Sequence, residues 1–374
     1  MKKVLFITNI PSPYRIAFYS LLGHYVDLTV IFEARGASGI KFNYYDEYKN
    51  FKAIFLSDGD INERKINFGI FKYIRKGYFD YIFLTNYGYA TELAAYLKCI
   101  FCKIDFNLEV DGSKFSNESR LKFLFKKFLF SKPKKIFSPS QTTDSFFRNY
   151  GVSSKKIVRY NFTSITKSQI LNDPINIETK NELKRELGLK EIPTILFVGR
   201  LIKSKRADWL LETLQLIDRN IQCVIIGTSI DSSYKELLEK LASKVSDVHF
   251  IEFLNTEELE KYYRATDLFV FPAVNEVWGL VVNEAMAKGL PVISTIGCVA
   301  ATELIKNSFN GYVLSENRDS VNLSFFIQEA LDNLDTMGKN SLQSVREYSI
   351  EKMVSQHLQY MGVDFENFSG DDNI

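Results

Sequence analysis

Long apolar runs are missing from this chain. None reaches the roughly 20 residues that a membrane-spanning helix needs, so the protein is expected to be soluble or peripheral. Cysteine is scarce: four in 374 residues do not make a disulfide framework. Cys99 and Cys102 form a lone C-x-x-C inside the apolar stretch Leu93 to Phe106, with no second pair to complete a zinc site, and are expected to pack in a helix. The three histidines, His24, His249 and His357, stand in helix or strand sequence and do not cluster with cysteine, so no metal site is expected. Net charge is nearly absent at +2, which removes whole-molecule attraction to nucleic acid or another polyanion. An export signal is absent too, because Met1-Lys2-Lys3 leads straight into a short apolar strand bounded by Asn9 and Pro11, and a cytoplasmic setting is the expectation. With 46% hydrophobic and 25% charged residues the composition is that of a globular protein, and only Ser369 to Ile374 reads as a loose tail.

What is present is an alternation. Lys3 to Asn9, Leu28 to Phe32, Ala53 to Leu56, Tyr81 to Leu84, Phe106 to Val110 and Lys135 to Ser138 are compact apolar runs separated by helical or loop sequence, the pattern of a parallel sheet covered on both faces. Between Asn161 and Pro193 the pattern lapses into polar sequence with a charged helix, Lys180 to Leu187, stopped at Gly188, and the interdomain linker is expected there. A second series of strands follows at Thr194 to Val198, Gln222 to Ile226, Val248 to Phe250, Leu268 to Phe271 and Pro291 to Ser294, with helices between them. The fold class read from this is α/β, two Rossmann-like doubly wound domains facing a cleft. An N-terminal domain is expected over 1–165 and a C-terminal one over 166–345, with a last helix, in about 346–374, crossing back to the first.

Two motifs of the second half carry chemistry. Glu276-Val277-Trp278-Gly279-Leu280-Val281-Val282-Asn283-Glu284 places two carboxylates eight positions apart, one in the loop after a buried strand and one on the helix that follows. A helix beginning at Trp278, Gly279 and Leu280 offers free N–H groups and a positive dipole end to a diphosphate. Glu284, two turns in, would accept the O–H groups of a vicinal diol. Upstream, Val198-Gly199-Arg200-Leu201-Ile202-Lys203-Ser204-Lys205 directly follows a strand. Gly199 permits close backbone approach, and Arg200 with a lysine would neutralise phosphates without a metal, although a basic solvated loop fits the same residues.

Together with Ala285-Met286-Ala287-Lys288-Gly289-Leu290-Pro291-Val292, these residues resemble family-four glycosyltransferases of the GT-B fold, closely from about Ile192 to Leu314 and loosely elsewhere. The resemblance implies that Arg200 and Lys205 hold the diphosphate of a nucleotide-sugar donor, Glu276 the donor sugar's hydroxyls and Glu284 the ribose. The backbone of Trp278, Gly279 and Leu280 would meet sugar and phosphate. It also implies transfer with retained anomeric configuration, no cofactor, no metal, and a glycan or lipid-linked acceptor in bacterial surface polysaccharide assembly. The chain departs from the family pattern where Arg206 replaces a glycine, and where Gly227-Thr228-Ser229 and Gly297-Cys298-Val299-Ala300 replace more glycine-rich turns. A nucleotide-sugar epimerase and a non-catalytic nucleotide-sugar binder are the alternatives.

In the first half, the proline-stiffened loop Asn9 to Arg15 ends in an arginine that would contact acceptor or phosphate, although a plain helix entry with a surface arginine fits the same residues. Glu109-Val110-Asp111-Gly112 follows a strand, and its carboxylates would orient the acceptor hydroxyl, accept its proton or stabilise charge at the anomeric carbon, although an ordinary helix-capping aspartate fits the same residues. Lys114 to Lys135 interleaves eight basic residues and the single acid Glu118 with Phe123, Phe125, Phe128 and Phe130. That composition suits an anionic membrane surface, or else an amphipathic helix that packs its phenylalanines on the domain, and peripheral attachment to the inner face of the plasma membrane is expected. Nucleic acid is not expected as a partner, since no recognised module accompanies the patch.

Overall fold

A computed structural model describes residues 1–37, 40–41, 48–115 and 117–365; the expected tail at Ser369 to Ile374 lies outside them. The chain divides into two compact units, Met1–Ser164 together with the chain from Tyr348 onward, and Ile165–Glu347.

The first unit contains β1 (Lys3–Thr8), α1 (Pro13–Leu22), β2 (Asp27–Phe32), β3 (Lys52–Phe55), β4 (Tyr81–Leu84), α2 (Ala90–Phe101), β5 (Asn107–Glu109), α3 (Arg120–Phe130), β6 (Ile136–Ser138), α4 (Gln141–Asn149) and β7 (Ile157–Arg159). These seven strands form one parallel sheet in the order β3-β2-β1-β4-β5-β6-β7, and Gly36–Ala37 pairs antiparallel with Ile40–Lys41 beside it in the chain. The second unit contains α5 (Ile177–Glu186), β8 (Thr194–Val198), α6 (Ala207–Leu214), β9 (Gln222–Ile226), α7 (Ser232–Ala242), β10 (Val248–Ile251), α8 (Thr256–Ala265), β11 (Leu268–Phe271), α9 (Leu280–Ala287), β12 (Val292–Thr295), α10 (Val299–Leu304), β13 (Gly311–Leu314), α11 (Ser320–Asp332) and α12 (Leu334–Val345). Its six strands are parallel too, in the order β10-β9-β8-β11-β12-β13. The strand order reverses beside β1 in one sheet and beside β8 in the other, and in such sheets ligands bind off the carboxyl ends of the strands at that point.

The last helix, α13 (Ile350–Met361), belongs to the first unit, as expected for a helix that crosses back. His357 stacks on Phe137 with ring centres 4.7 Å apart, Tyr360 donates to Asn107 at 2.8 Å, and the Gln356 side chain accepts from the Asn161 amide at 2.8 Å. The polar stretch read as linker is otherwise part of the second unit. Lys180 and Lys184 on α5 reach Asp267 at 3.0 and 2.8 Å, and Asp267 also accepts from the Thr194 amide, so α5 is fastened where β8 and β11 begin. Lys184 is buried with its charge paired, the condition under which a lysine tolerates an interior position. No helix among the described residues is long and apolar enough to cross a membrane.

Candidate functional site

In the second unit the loops after β8, β9, β11 and β12 are bound to one another by backbone hydrogen bonds. Gly199 donates to Ile226 at 3.0 Å, Leu201 to Thr228 at 2.9 Å, Val274 to Ser204 at 2.8 Å and Glu276 to Gly297 at 2.9 Å. Side chains cannot intrude at two of these crossings. A Cβ on Gly227, whose φ is 153°, would lie 1.9 Å from the Gly199 carbonyl oxygen; one on Gly279, φ 106°, would lie 2.6 Å from the Cys298 sulfur. Cys298 thus fills the space beneath Gly279, which accounts for its standing where a more glycine-rich turn was the family pattern. Arg206 shows the opposite solution. It keeps the left-handed turn that a glycine would adopt freely, φ 56°, at a cost of about 1 kcal/mol. Its guanidinium compensates by donating to the Glu316 carbonyl at 2.6 Å and lying 5.6 Å from the Trp209 ring centre.

This lacing brings Lys205 and Glu276 into an ion pair, although 71 positions separate them, with side chains 12% and 21% exposed. Arg200 is exposed beside them. Burial, and after it the Arg200 guanidinium, pulls the Lys205 ammonium down to about 8, while the Glu276 carboxylate works against that pull. The start of α9 adjoins this pair, because Val299 donates to the Glu276 carbonyl and Ala300 to that of Trp278. No described residue accepts from the amides of Gly279, Leu280 or Val281, the orphan donors of a helix start. The Trp278 ring is buried with Nε1 donating to Asn283 at 2.8 Å, and its carbonyl accepts from the Ala300 amide and the Cys298 thiol, so the side chain braces the loop at the start of α9.

Glu284 is half-buried on α9 and accepts from the Tyr263 hydroxyl at 3.1 Å. Burial, and then the Glu284 carboxylate, pushes the Tyr263 phenol far up, so it remains a donor that orients one carboxylate oxygen. Sequence reasoning missed Tyr263; the only signal was its place on the helix preceding β11. A cavity of about 300 Å³ opens at the carboxyl ends of β8, β9 and β10, lined in part by Leu201, Gly227, Lys235, Phe250, Ile251 and Glu252.

In the first unit the acids expected to act on the acceptor are held in a buried network. Arg15 is buried and pairs one guanidinium nitrogen with Glu109 and the other with Asp111. Glu109 is fully buried and its second oxygen meets His357 Nε2 at 3.0 Å. Burial alone would raise the Glu109 carboxyl, but Arg15 and then His357 overcome it and hold it at about 2. Arg15 therefore faces no phosphate, and Glu109 cannot accept an acceptor's proton; both brace α1 and α13 against β5. Asp111 differs, accepting from Tyr14 at 2.8 Å while its side chain stays 36% exposed.

Removing Glu109 should unfold rather than inactivate. Glu109→Gln leaves the buried Arg15 guanidinium short of a counter-charge, and urea denaturation should show a loss of about 3 kcal/mol. Because the carboxyl is lower in the folded protein than its unfolded value of about 4.3, its stabilisation is complete above that value and lost as pH falls toward about 2. The variant should lack that acid component; an unchanged urea midpoint would contradict the bracing role.

A second cavity, of about 540 Å³, lies at the carboxyl ends of β2 and β3, lined among others by Glu33, Ser57, Asp60, Lys65, Phe68 and Thr91. Glu33 is 6% exposed with Oε2 unpartnered among the described residues, and the fully buried Glu92 has both oxygens unpartnered. Burial first, and then the neighbouring Glu33, holds the Glu92 carboxyl well above the usual range. Nothing in the sequence around either acid marked this pocket.

Residues 179–350 match the family model described as glycosyl transferases group 1. Among curated proteins, the chain is 34% identical over 151 residues to an uncharacterized glycosyltransferase of Methanocaldococcus jannaschii, covering 38% of each chain. It is 31% identical over 135 residues to D-inositol 3-phosphate glycosyltransferase of Corynebacterium glutamicum, covering 33% of this chain and 32% of that one. The chain thus spans between about a third and two fifths of the length of these two curated relatives. Among solved structures, Anabaena HepE in complex with UDP superposes with a TM-score of 0.77 at 14% identity, covering 96% of this chain and 99% of that one. The chain thus has a two-domain α/β fold of the GT-B type, and its residues 179–350 are similar to the glycosyl transferases group 1 family.

Proposed function

We propose that the protein is a retaining glycosyltransferase that moves a hexose-type sugar from a UDP-linked donor to a hydroxyl of a glycan or lipid-linked acceptor, without cofactor or metal. Surface polysaccharide assembly at the cytoplasmic face of a bacterial membrane is the setting. The observation that carries this reading is the convergence of Arg200, Lys205 and Glu276 at the open start of α9, with Glu284 on the same helix. Arg200, Lys205 and the amides of Gly279 and Leu280 supply the positive charge that a departing diphosphate requires. Glu276 takes hydroxyls of the donor sugar and Glu284 the ribose diol. The cavity lined by Leu201 and Phe250 receives a planar base, and uracil is the base for which HepE's bound UDP argues. In the reaction the C1–O bond to the diphosphate breaks with its electron pair going to phosphate oxygen. The acceptor oxygen attacks from the same face, and its proton passes to the departing phosphate, so configuration is retained. The cavity of the first unit, with the buried Glu33 carboxyl and the exposed Phe68 ring, is assigned to the acceptor's sugar.

Calorimetric titration with UDP and with GDP in the presence of chelator tests the donor site. UDP should bind the native protein, and Arg200→Ala and Glu284→Ala should each weaken it at least about tenfold. Binding of GDP alone would reassign the base, and binding of neither nucleotide would overturn the reading.

A further inference from the structure

The helix α3 presents two opposite apolar faces, and only one is covered. Phe123 stacks on Tyr150 with ring centres 4.8 Å apart, and Leu129 and Phe130 are buried in the core of the first unit. Leu121, Leu124, Phe125 and Phe128 stand outward, 82%, 51%, 46% and 47% exposed. Their spacing of i, i+3, i+4 and i+7 makes one stripe about 100° wide along the helix. Four large apolar side chains held side by side in water mark a contact surface.

The charges around the stripe say what it contacts. Arg120 and Lys127 flank it on one side and Lys122 on the other; all three are exposed, and none pairs with a described acid. Lys132 lies over the outer Phe128 ring, 4.5 Å from its centre. Lys126 alone is drawn inward, to Glu118 at 2.7 Å, so the one acid of this region is already spent on the covered face. An apolar ridge with cations on both rims matches a bilayer of anionic lipids: the leucines and phenylalanines enter the headgroup boundary while arginine and lysines meet phosphates. A second copy of the same face would bring like charges together, which disfavours self-association through it.

We propose that α3 docks the protein on anionic membranes, with Leu121, Leu124, Phe125 and Phe128 inserted and Arg120, Lys122, Lys127 and Lys132 on the lipid phosphates. The docking does not depend on the donor site, and the experiment keeps the two apart. Sucrose-loaded vesicles of phosphatidylglycerol with phosphatidylcholine should sediment the full chain without nucleotide, and pure phosphatidylcholine vesicles should not. Leu124→Ser with Phe125→Ser should weaken sedimentation at least about tenfold. Replacing Arg120, Lys122 and Lys127 by alanine should weaken it on the order of a hundredfold. These positions face solvent, and α3 keeps its Ser119 cap, donated to by the Lys122 amide at 3.3 Å, so UDP binding in the same preparations should be unchanged. Equal sedimentation by the variants, or none of the native chain on anionic vesicles, would overturn the proposal. So would lipid-free association, seen by sedimentation velocity, that the serine variant abolishes, because the stripe would then be a protein interface.

Discussion

Glu276→Ala is expected to lower the rate of sugar transfer by at least about a thousandfold while the protein stays folded. The side chain and the backbone of Glu276 do separate jobs. Its amide donates to Gly297 and its carbonyl accepts from Val299, and together these form a bridge to the loop carrying Cys298 that alanine preserves. The ion pair to Lys205 is only partly buried, so its loss should cost no more than about 1 kcal/mol of stability. Lost catalysis is another matter, since one group acting on the reacting sugar in a preorganised site is worth a factor of about a hundred to a thousand in turnover, and misplacing the sugar adds to that. The variant frees Lys205 from its carboxylate, so below neutral pH, where the amine keeps its proton, UDP alone should bind as well as to the native protein or better. Transfer assayed with the product glycan, melting temperature and UDP affinity together decide the matter. Undiminished transfer would remove Glu276 from the reaction, and lost UDP affinity with normal turnover would make it a nucleotide ligand.

The two sheets were legible from the chain because each central strand is a short apolar run buried on both faces. Thr194 to Val198, Gln222 to Ile226, Leu268 to Phe271 and Tyr81 to Leu84 fall where the runs predicted them. The elements that escaped lack that signal: β13 opens on Gly311, β7 is three half-buried residues long, and α10 begins at Val299 within a stretch read as a turn. The donor motif was readable because Glu276 and Glu284 are fixed by one loop and one helix. Arg15 was misread for the converse reason. Its local sequence is that of a helix entry with a surface arginine, and what buries it is Glu109, 94 positions away, and His357, 248 positions beyond Glu109. No spacing rule reaches that far, and the same holds for Glu33 and Glu92, 59 positions apart, where the Glu33 charge raises the buried Glu92 carboxyl only because the fold brings the two near each other.

The coupling between Lys205 and Glu276 yields the remaining large effect. Lys205→Ala should lower UDP affinity and turnover together, with kcat/KM falling by a hundredfold to about a thousandfold, since the diphosphate loses a cation both when it binds and when it leaves. The native protein should also show a pH dependence that an ordinary lysine would not. The protonated amine binds phosphate, and burial with Arg200 beside it pulls that amine down to about 8, so UDP affinity should be full near neutrality and decline as pH rises through and beyond about 8. Lys205→Arg, which stays charged throughout, should flatten the profile even if it binds less well. Glu276→Ala removes the carboxylate that favours the charged amine and should move the decline to lower pH. Calorimetric affinities from pH 6.5 to about 9.5 on the three proteins separate these cases. A native profile as flat as that of the arginine variant would mean that Lys205 keeps its proton throughout, and a decline that Glu276→Ala leaves in place would mean that some other group titrates.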